Sequence, residues 1–156
     1  MMSNKTTKTE GKLQASGTSV SGFSSTNVSA QKNTSDKGYS FEGVSTEGEL
    51  LLFFARALEI TQGDSFPIEQ YGQDGTAVAV FIDKEKDVYN GESGEIKFER
   101  FDAESQIVEI VAKFVMSNGS VEKSVEARGE FKGIEQSNKK VLDEKGAFKV
   151  GVIAAL

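Results

Sequence analysis

The chain has 156 residues, one proline against 16 glycines, 11 phenylalanines, no tryptophan and a formal net charge of −6. Cysteine and histidine are both absent, which excludes disulfides, thiolate zinc sites, histidine general bases and Cys–His or Ser–His nucleophilic machinery. The acidic balance argues against nucleic acid or an anionic membrane surface as principal partner, because phosphate binding needs clustered Lys and Arg. No apolar run approaches the roughly 20 residues of a helical membrane span.

Residues 1–36 are rich in Ser, Thr, Asn, Gly and Lys. The first ten read as a disordered tail and 11–156 as a single β domain, a length suited to one full core. Residues 1–40 carry five lysines against Glu10 and Asp36. A solvated tail is the simple reading, and an uncleaved export or docking signal the sharper one. Without a signal-peptide h-region the default localisation is cytoplasmic, with export through an uncleaved N-terminal signal as the alternative.

Leu13 and Ala15, followed by Val20, Phe23 and Val28, anchor one or two polar strands. Lys37-Gly38 is a turn, and 39–44 reads as a strand with Tyr39, Phe41 and Gly43 on one face. Residues 49–60 (ELLLFFARALEI) admit two readings. Thr46-x-x-Glu49 matches a capping box, and Leu51, Phe54, Ala55 and Leu58 would share a helical face. Leu50, Leu52 and Phe53 would then lie elsewhere on the cylinder, whereas a strand buried on both faces is a continuous apolar run. The expectation is a strand over 49–55, with a short helix within 49–60 as the alternative.

Residues 61–64 form a turn, Pro67 suits a strand start or edge, and Asp74-Gly75 is another turn signal. Ala77–Ile82 is apolar on both faces and should be central. Residues 83–87 are a charged, solvated loop whose intervening lysines spoil it as a Ca²⁺ site. Asn90-Gly91 reads as a turn into a strand over 95–101, with Ile96 and Phe98 pointing inward.

Residues 94–134 are the best specified stretch. Val108, Ile110, Ala112, Phe114 and Met116 alternate with Glu109 and Lys113, and Asn118-Gly119 is a strong hairpin signal. With those two as the loop, Met116 pairs with Val121, Phe114 with Lys123, Ala112 with Val125, Ile110 with Ala127 and Val108 with Gly129. Glu109 then faces Arg128 as an ion pair, and Glu109 and Glu126 become diagonal neighbours whose ordinary role is solubility. The inner glycines Gly129 and Gly133 mark a bend or a close backbone approach, and a valine at 129 would crowd Val108. Residues 135–140 read as a polar loop and 143–146 as a turn. A last strand over 147–153 has Phe148, Val150 and Val152 on one side, and the apolar 154–156 either complete the sheet or add to a partner's.

The fold class is all-β: an antiparallel β-sandwich, or an open or closed β-barrel, of about eight strands. The polar strand around 11–16, then Gly48-Glu49-Leu50-Leu51-Leu52, the turn at Gln62-Gly63-Asp64, Gly94-Glu95-Ile96-Lys97-Phe98 followed by Asp102, and Gly129-Glu130-Phe131 span most of the chain. Their order is similar to a family of small uncharacterised bacterial β-rich domains, often found as lipoproteins. The resemblance implies an antiparallel sandwich or open barrel and brings no functional residues with it. The chain departs from that family in having no signal peptide and no lipobox cysteine.

The leading functional expectation is a non-catalytic bacterial binding module whose protein partner, or second copy, meets an exposed aromatic patch or sheet edge. No enzyme activity, cofactor, metal or catalytic residue is expected, and the ligand-binding residues are unassigned. One alternative is a barrel enclosing a small apolar ligand among Phe81, Phe98, Phe114 and Phe131. Another is an exported effector or immunity-type protein whose acidic surface suits a basic toxin.

Overall fold

The computed structural model describes residues 8–17 and 20–147. Its strands are β1 (Glu10–Gly17), β2 (Val20–Ser25), β3 (Asn27–Asn33), β4 (Gly38–Val44), β5 (Leu50–Ala55), β6 (Ser65–Pro67), β7 (Ala77–Ile82), β8 (Val88–Asp102), β9 (Ile107–Ser117), β10 (Glu122–Lys132) and β11 (Glu135–Ser137). They form one sheet in the order β11-β3-β4-β5-β7-β8-β9-β10-β1-β2, with β6 pairing β8 off that path. All pairings between strands are antiparallel except β11 with β3. The sheet curls into a half-barrel that brings β1 and β10 against β3. The all-β class therefore holds, with eleven strands among the described residues rather than about eight in all.

The apolar run at 49–60 is resolved in favour of the strand. Every residue of β5 is buried, as is every residue of β7, its neighbour in the sheet. Leu51, Phe53 and Ala55 face the barrel interior, while Leu50, Leu52 and Phe54 join a second apolar cluster on the opposite face. A helix buries one stripe of its surface; a central strand covered on both sides accommodates apolar residues at every position.

The interior is filled by rings. Phe41 lies 5.3 Å from Phe131 and 5.6 Å from Phe98, and Phe98 meets Phe66 and Phe101 edge-on. Edge-to-face and tilted pairs at such separations are favourable for aromatic quadrupoles. Leu13, Ile96, Ile110 and Met116 complete a core in which each is at most 1 % exposed.

The β9–β10 hairpin keeps its expected faces, but the register moves by two residues. Met116 pairs with Lys123, Phe114 with Val125, Ala112 with Ala127, Ile110 with Gly129 and Val108 with Phe131. The loop has four residues instead of two. Asn118 Oδ1 accepts from Ser120 N at 2.9 Å and Val121 N at 2.8 Å, while Asn118 N donates to Val121 O at 3.2 Å. An Asn side chain that hydrogen-bonds its own backbone competes with the two-residue turn, and Val121 is left exposed at the tip. Because the shift is even, inward residues stay inward.

The expected Glu109–Arg128 ion pair does not form: Glu130 stands opposite Glu109, and Val111 opposite Arg128. Arg100 instead approaches Glu109 at 3.8 Å and Glu99 approaches Arg128 at 3.7 Å. Lys123 carries its ammonium 4.7 Å from the Tyr89 ring centroid, a cation–π contact that accommodates a charge at the rim of the inner face.

Two further expectations change. Asn90-Gly91 is no turn; it lies inside β8, where the register shifts between Gly91 and Ser93. β8 pairs β7 through 88–90 and β6 through 95–97, so the strand must bend between its two partners. Glycine permits that bend: a Cβ on Gly91 would lie 2.8 Å from Ile68 Cγ2, and one on Gly94, at φ +122°, 2.2 Å from Lys113 O. The polar 135–140 segment contains the short parallel strand β11, too brief to show a period.

β2 passes into β3 through a sharp corner at Thr26. The buried Ser25 holds it, its Oγ donating to Val44 O at 2.6 Å and accepting from Asn27 N at 3.0 Å. Of the expected 1–10 tail, residues 1–7 lie outside the described residues, whereas Thr9 is buried and Glu10 opens β1. The Thr9 hydroxyl accepts from Ala30 N at 3.0 Å and donates to Gly133 O at 2.9 Å, tying the start of β1 to β3. The strand expected over 147–153 and the apolar 154–156 lie outside the described residues, apart from Ala147.

Candidate functional site

Among the described residues three large apolar side chains are exposed, Leu58, Tyr71 and Val121, and Tyr71 is the aromatic one at 42 %. It borders an open groove of about 510 Å³ shared with Gln70, Asn90, Asp143, Glu144 and Lys145. These residues come from three parts of the chain: the β6–β7 connection, β8, and the turn after Leu142.

The connection carrying Tyr71 is tied down by its backbone. Ile68 N donates to Gly94 O at 2.8 Å, Glu69 N to Ala77 O at 2.9 Å and Gly75 N to Arg56 O at 2.9 Å, while Arg56 Nη1 donates to Gly72 O at 3.0 Å. Gly72 N donates to Gly146 O at 3.1 Å, joining the connection to the far turn. That junction requires glycine. Gly146 has φ +95°, and a Cβ there would lie 2.3 Å from Gly72 O.

The opposite wall is a self-contained turn. Asp143 accepts from Lys145 N at 2.8 Å and Ala147 N at 3.0 Å. Those bonds, that from Ala147 foremost, hold its carboxyl below the usual carboxylate range. Lys145 places its ammonium 5.9 Å from the Tyr71 ring centroid. The groove thus offers one ring face beside amides and charges of both signs, a surface that suits recognition. Its aromatic anchor sits between backbone groups hydrogen-bonded at Glu69 and Gly72.

The other grooves are less distinctive. One of about 480 Å³ runs over Gly22 between Gln14, Ser16, Lys113, Glu126 and Arg128, but Lys113 and Glu126 pair across it at 3.4 Å. Another, about 210 Å³, holds the Lys12–Glu130 and Arg128–Glu99 pairs. Opposite charges already matched at the surface leave little field for a charged ligand.

Glu109 and Glu126, expected as diagonal neighbours, separate: Glu126 faces Lys113, and Glu109 lies toward the other end of the hairpin opposite Glu130. Sequence reasoning missed a different pair. Glu42, on β4 between Ser29 and Leu52, is half-buried, and burial first and Glu135 second push its carboxyl above the ordinary value. The two glutamates come together because β11 returns beside β3, a pairing with no signal in the sequence. No cluster of three or more metal-ligating carboxylates forms among the described residues, the 83–87 loop included. There Asp83 Oδ1 accepts from Glu85 N and Asp87 N, and so serves its own turn.

Phe81, Phe98, Phe114 and Phe131 all point into the half-barrel, as the ligand-carrier alternative requires. Each packs against a neighbouring ring: Phe81 against Phe23 and Tyr89, Phe98 and Phe131 against Phe41, and Phe114 against Phe53. No helix among the described residues is long and apolar enough to cross a membrane. No protein-family model, curated protein or solved structure matches the chain.

Proposed function

We propose that the chain is a non-catalytic interaction module that binds a protein partner through the Tyr71 groove. The observation that carries this reading is Tyr71 itself, a ring left in solvent on a clamped connection while the other described aromatic side chains are buried. Aromatic anchors held in one geometry lose little entropy on binding and commonly dominate interface energetics. The ring contacts inside the half-barrel favour this reading over a small-ligand carrier among the same phenylalanines.

The test is a photo-crosslinking amino acid in place of Tyr71, with a second chain carrying it at Gln14 as the control. A protein partner, or a second copy, should be captured from position 71 and not from 14. Tyr71→Ala should then weaken that complex by a factor of about 30 or more, corresponding to a hot spot of about 2 kcal/mol, with an unchanged melting temperature. Equal capture at both positions, or none at 71 together with monomeric behaviour on size exclusion, overturns the proposal.

A further inference from the structure

On the outer face of the long strands, charges are matched in place. Lys12 pairs with Glu130 at 3.4 Å, Arg100 with Glu109 at 3.8 Å, Lys113 with Glu126 at 3.4 Å and Arg128 with Glu99 at 3.7 Å. These pairs cancel, so the formal charge of −6 is carried elsewhere. The Tyr71 groove takes a share of it: Asp143 and Glu144 line the far wall with Lys145, and the exposed Glu69 precedes Gln70 on the near one. Arg56, which holds the near wall through Gly72 O at 3.0 Å, is paired with Asp74 at 3.7 Å.

Lys145 shows what the ring accepts. Its ammonium lies 5.9 Å from the Tyr71 centroid, near the outer limit of about 6 Å at which a ring draws a cation. In the rim contact of Lys123 with Tyr89 the same distance is 4.7 Å. Lys145 is exposed, so it holds the ring face loosely and an incoming cation can take its place. A guanidinium suits that place better than an ammonium: it stacks flat on a ring while its fork of N–H donors meets a carboxylate. Of the two carboxylates on the far wall, Asp143 is engaged by the backbone of its own turn, which leaves Glu144 to meet a partner.

We propose that the Tyr71 groove recognises a cationic protein segment, one of whose arginines displaces Lys145 from the face of the Tyr71 ring and pairs with Glu144. This rests on the groove being a docking site and adds the chemistry of what docks there. Lys145 is then a resident competitor. Removing its charge helps the partner twice, by freeing the ring and by deepening the negative field of the groove.

The test titrates the ¹⁵N-labelled full chain with a hexa-arginine peptide, and with a hexaglutamate peptide as the control. Amide shifts should be confined to the surroundings of residues 70–72, 90 and 143–147. Tyr71→Leu should weaken hexa-arginine binding about 2–5-fold, the range of an exposed contact between a cation and a ring. Glu144→Gln should weaken it and Lys145→Gln tighten it, while the same exchanges on the strand face, Glu126→Gln and Lys113→Gln, leave it unchanged. Shifts spread over the whole surface, strand-face variants that act as strongly as the groove variants, a Lys145→Gln chain that binds no more tightly, or hexaglutamate bound in the groove each overturn the proposal. Crosslinking from position 71 separates it from the reading beneath it. A linked partner peptide that contains arginine supports both, and one without arginine leaves the groove a docking site but overturns its choice of a cationic partner. No capture at 71, with monomeric behaviour on size exclusion, overturns both.

Discussion

Gly129 offers the most direct test of how the half-barrel is packed. It sits on β10 between Leu13 of β1 and Ile110 of β9, not beside Val108 as the two-residue loop would have it. A Cβ at this position would lie 2.6 Å from Cε1 of Phe131 and 3.0 Å from Leu13 Cδ1. Carbon atoms are comfortable at about 3.5–4.0 Å, so the ring would have to move by about 1 Å. Phe131 has nowhere to go, being 2 % exposed with its ring 5.3 Å from that of Phe41. Gly129→Ala is therefore expected to cost about 1–3 kcal/mol by overpacking, read as a lower urea midpoint at constant slope. Phe131→Leu in the same chain removes the obstructing ring edge. The double variant should then be more stable than the sum of the single effects by about 1 kcal/mol, within the usual range for residues in contact. Additive effects within about 0.5 kcal/mol, or an alanine at 129 that costs nothing, would refute this account of the register and of the ring's position.

Ser25→Ala removes the donor to Val44 O and the acceptor for Asn27 N at the β2–β3 corner. With both backbone groups left short of partners, the expected loss is about 1–3 kcal/mol in urea unfolding, and a change under about 0.5 kcal/mol would show that the corner does not depend on the hydroxyl. Glu42 has a folded-state pKa raised above its ordinary 4.5 by burial and by Glu135. The stabilisation from its proton is therefore fully present below about 4.5 and lost as pH rises through the raised value. Glu42→Gln should raise the melting temperature at pH 7, with the gain shrinking toward zero at pH 3.5; no gain at neutral pH, or one that persists in acid, contradicts the burial assigned to this carboxyl.

Period-2 patterns were legible where one face is wet. In β9 and β10 the inner residues Val108, Ile110, Ala112, Phe114, Met116, Val125, Ala127, Gly129 and Phe131 all alternate as the sequence predicts. The loop length was not legible, because Asn118 can serve either a type I′ turn or a side-chain-capped four-residue loop, and an even shift leaves the hydrophobic pattern unchanged. Gly91 illustrates a second limit. An Asn-Gly pair signals a hairpin only when the chain reverses, and here the missing Cβ serves the approach of Ile68 and Ala79 instead. β11 escaped notice because its three polar residues owe their pairing to β3, far away in sequence. The Tyr71 groove was foreseen only as a kind of surface: nothing local to residue 71 distinguishes an exposed tyrosine from the buried Tyr39 and Tyr89.

The Tyr71 groove depends on one backbone contact. Gly72 adjoins Tyr71, and Gly146 belongs to the turn that lines the opposite wall, so the bond between them joins the two walls of the groove. A side chain at 146 would strike the Gly72 carbonyl and disturb both, whereas the ring of Tyr71 can be removed without touching that bond. Recognition at Tyr71 and the placement of the groove walls are thus separable: the first goes with the side chain, and the second rests on the main chain.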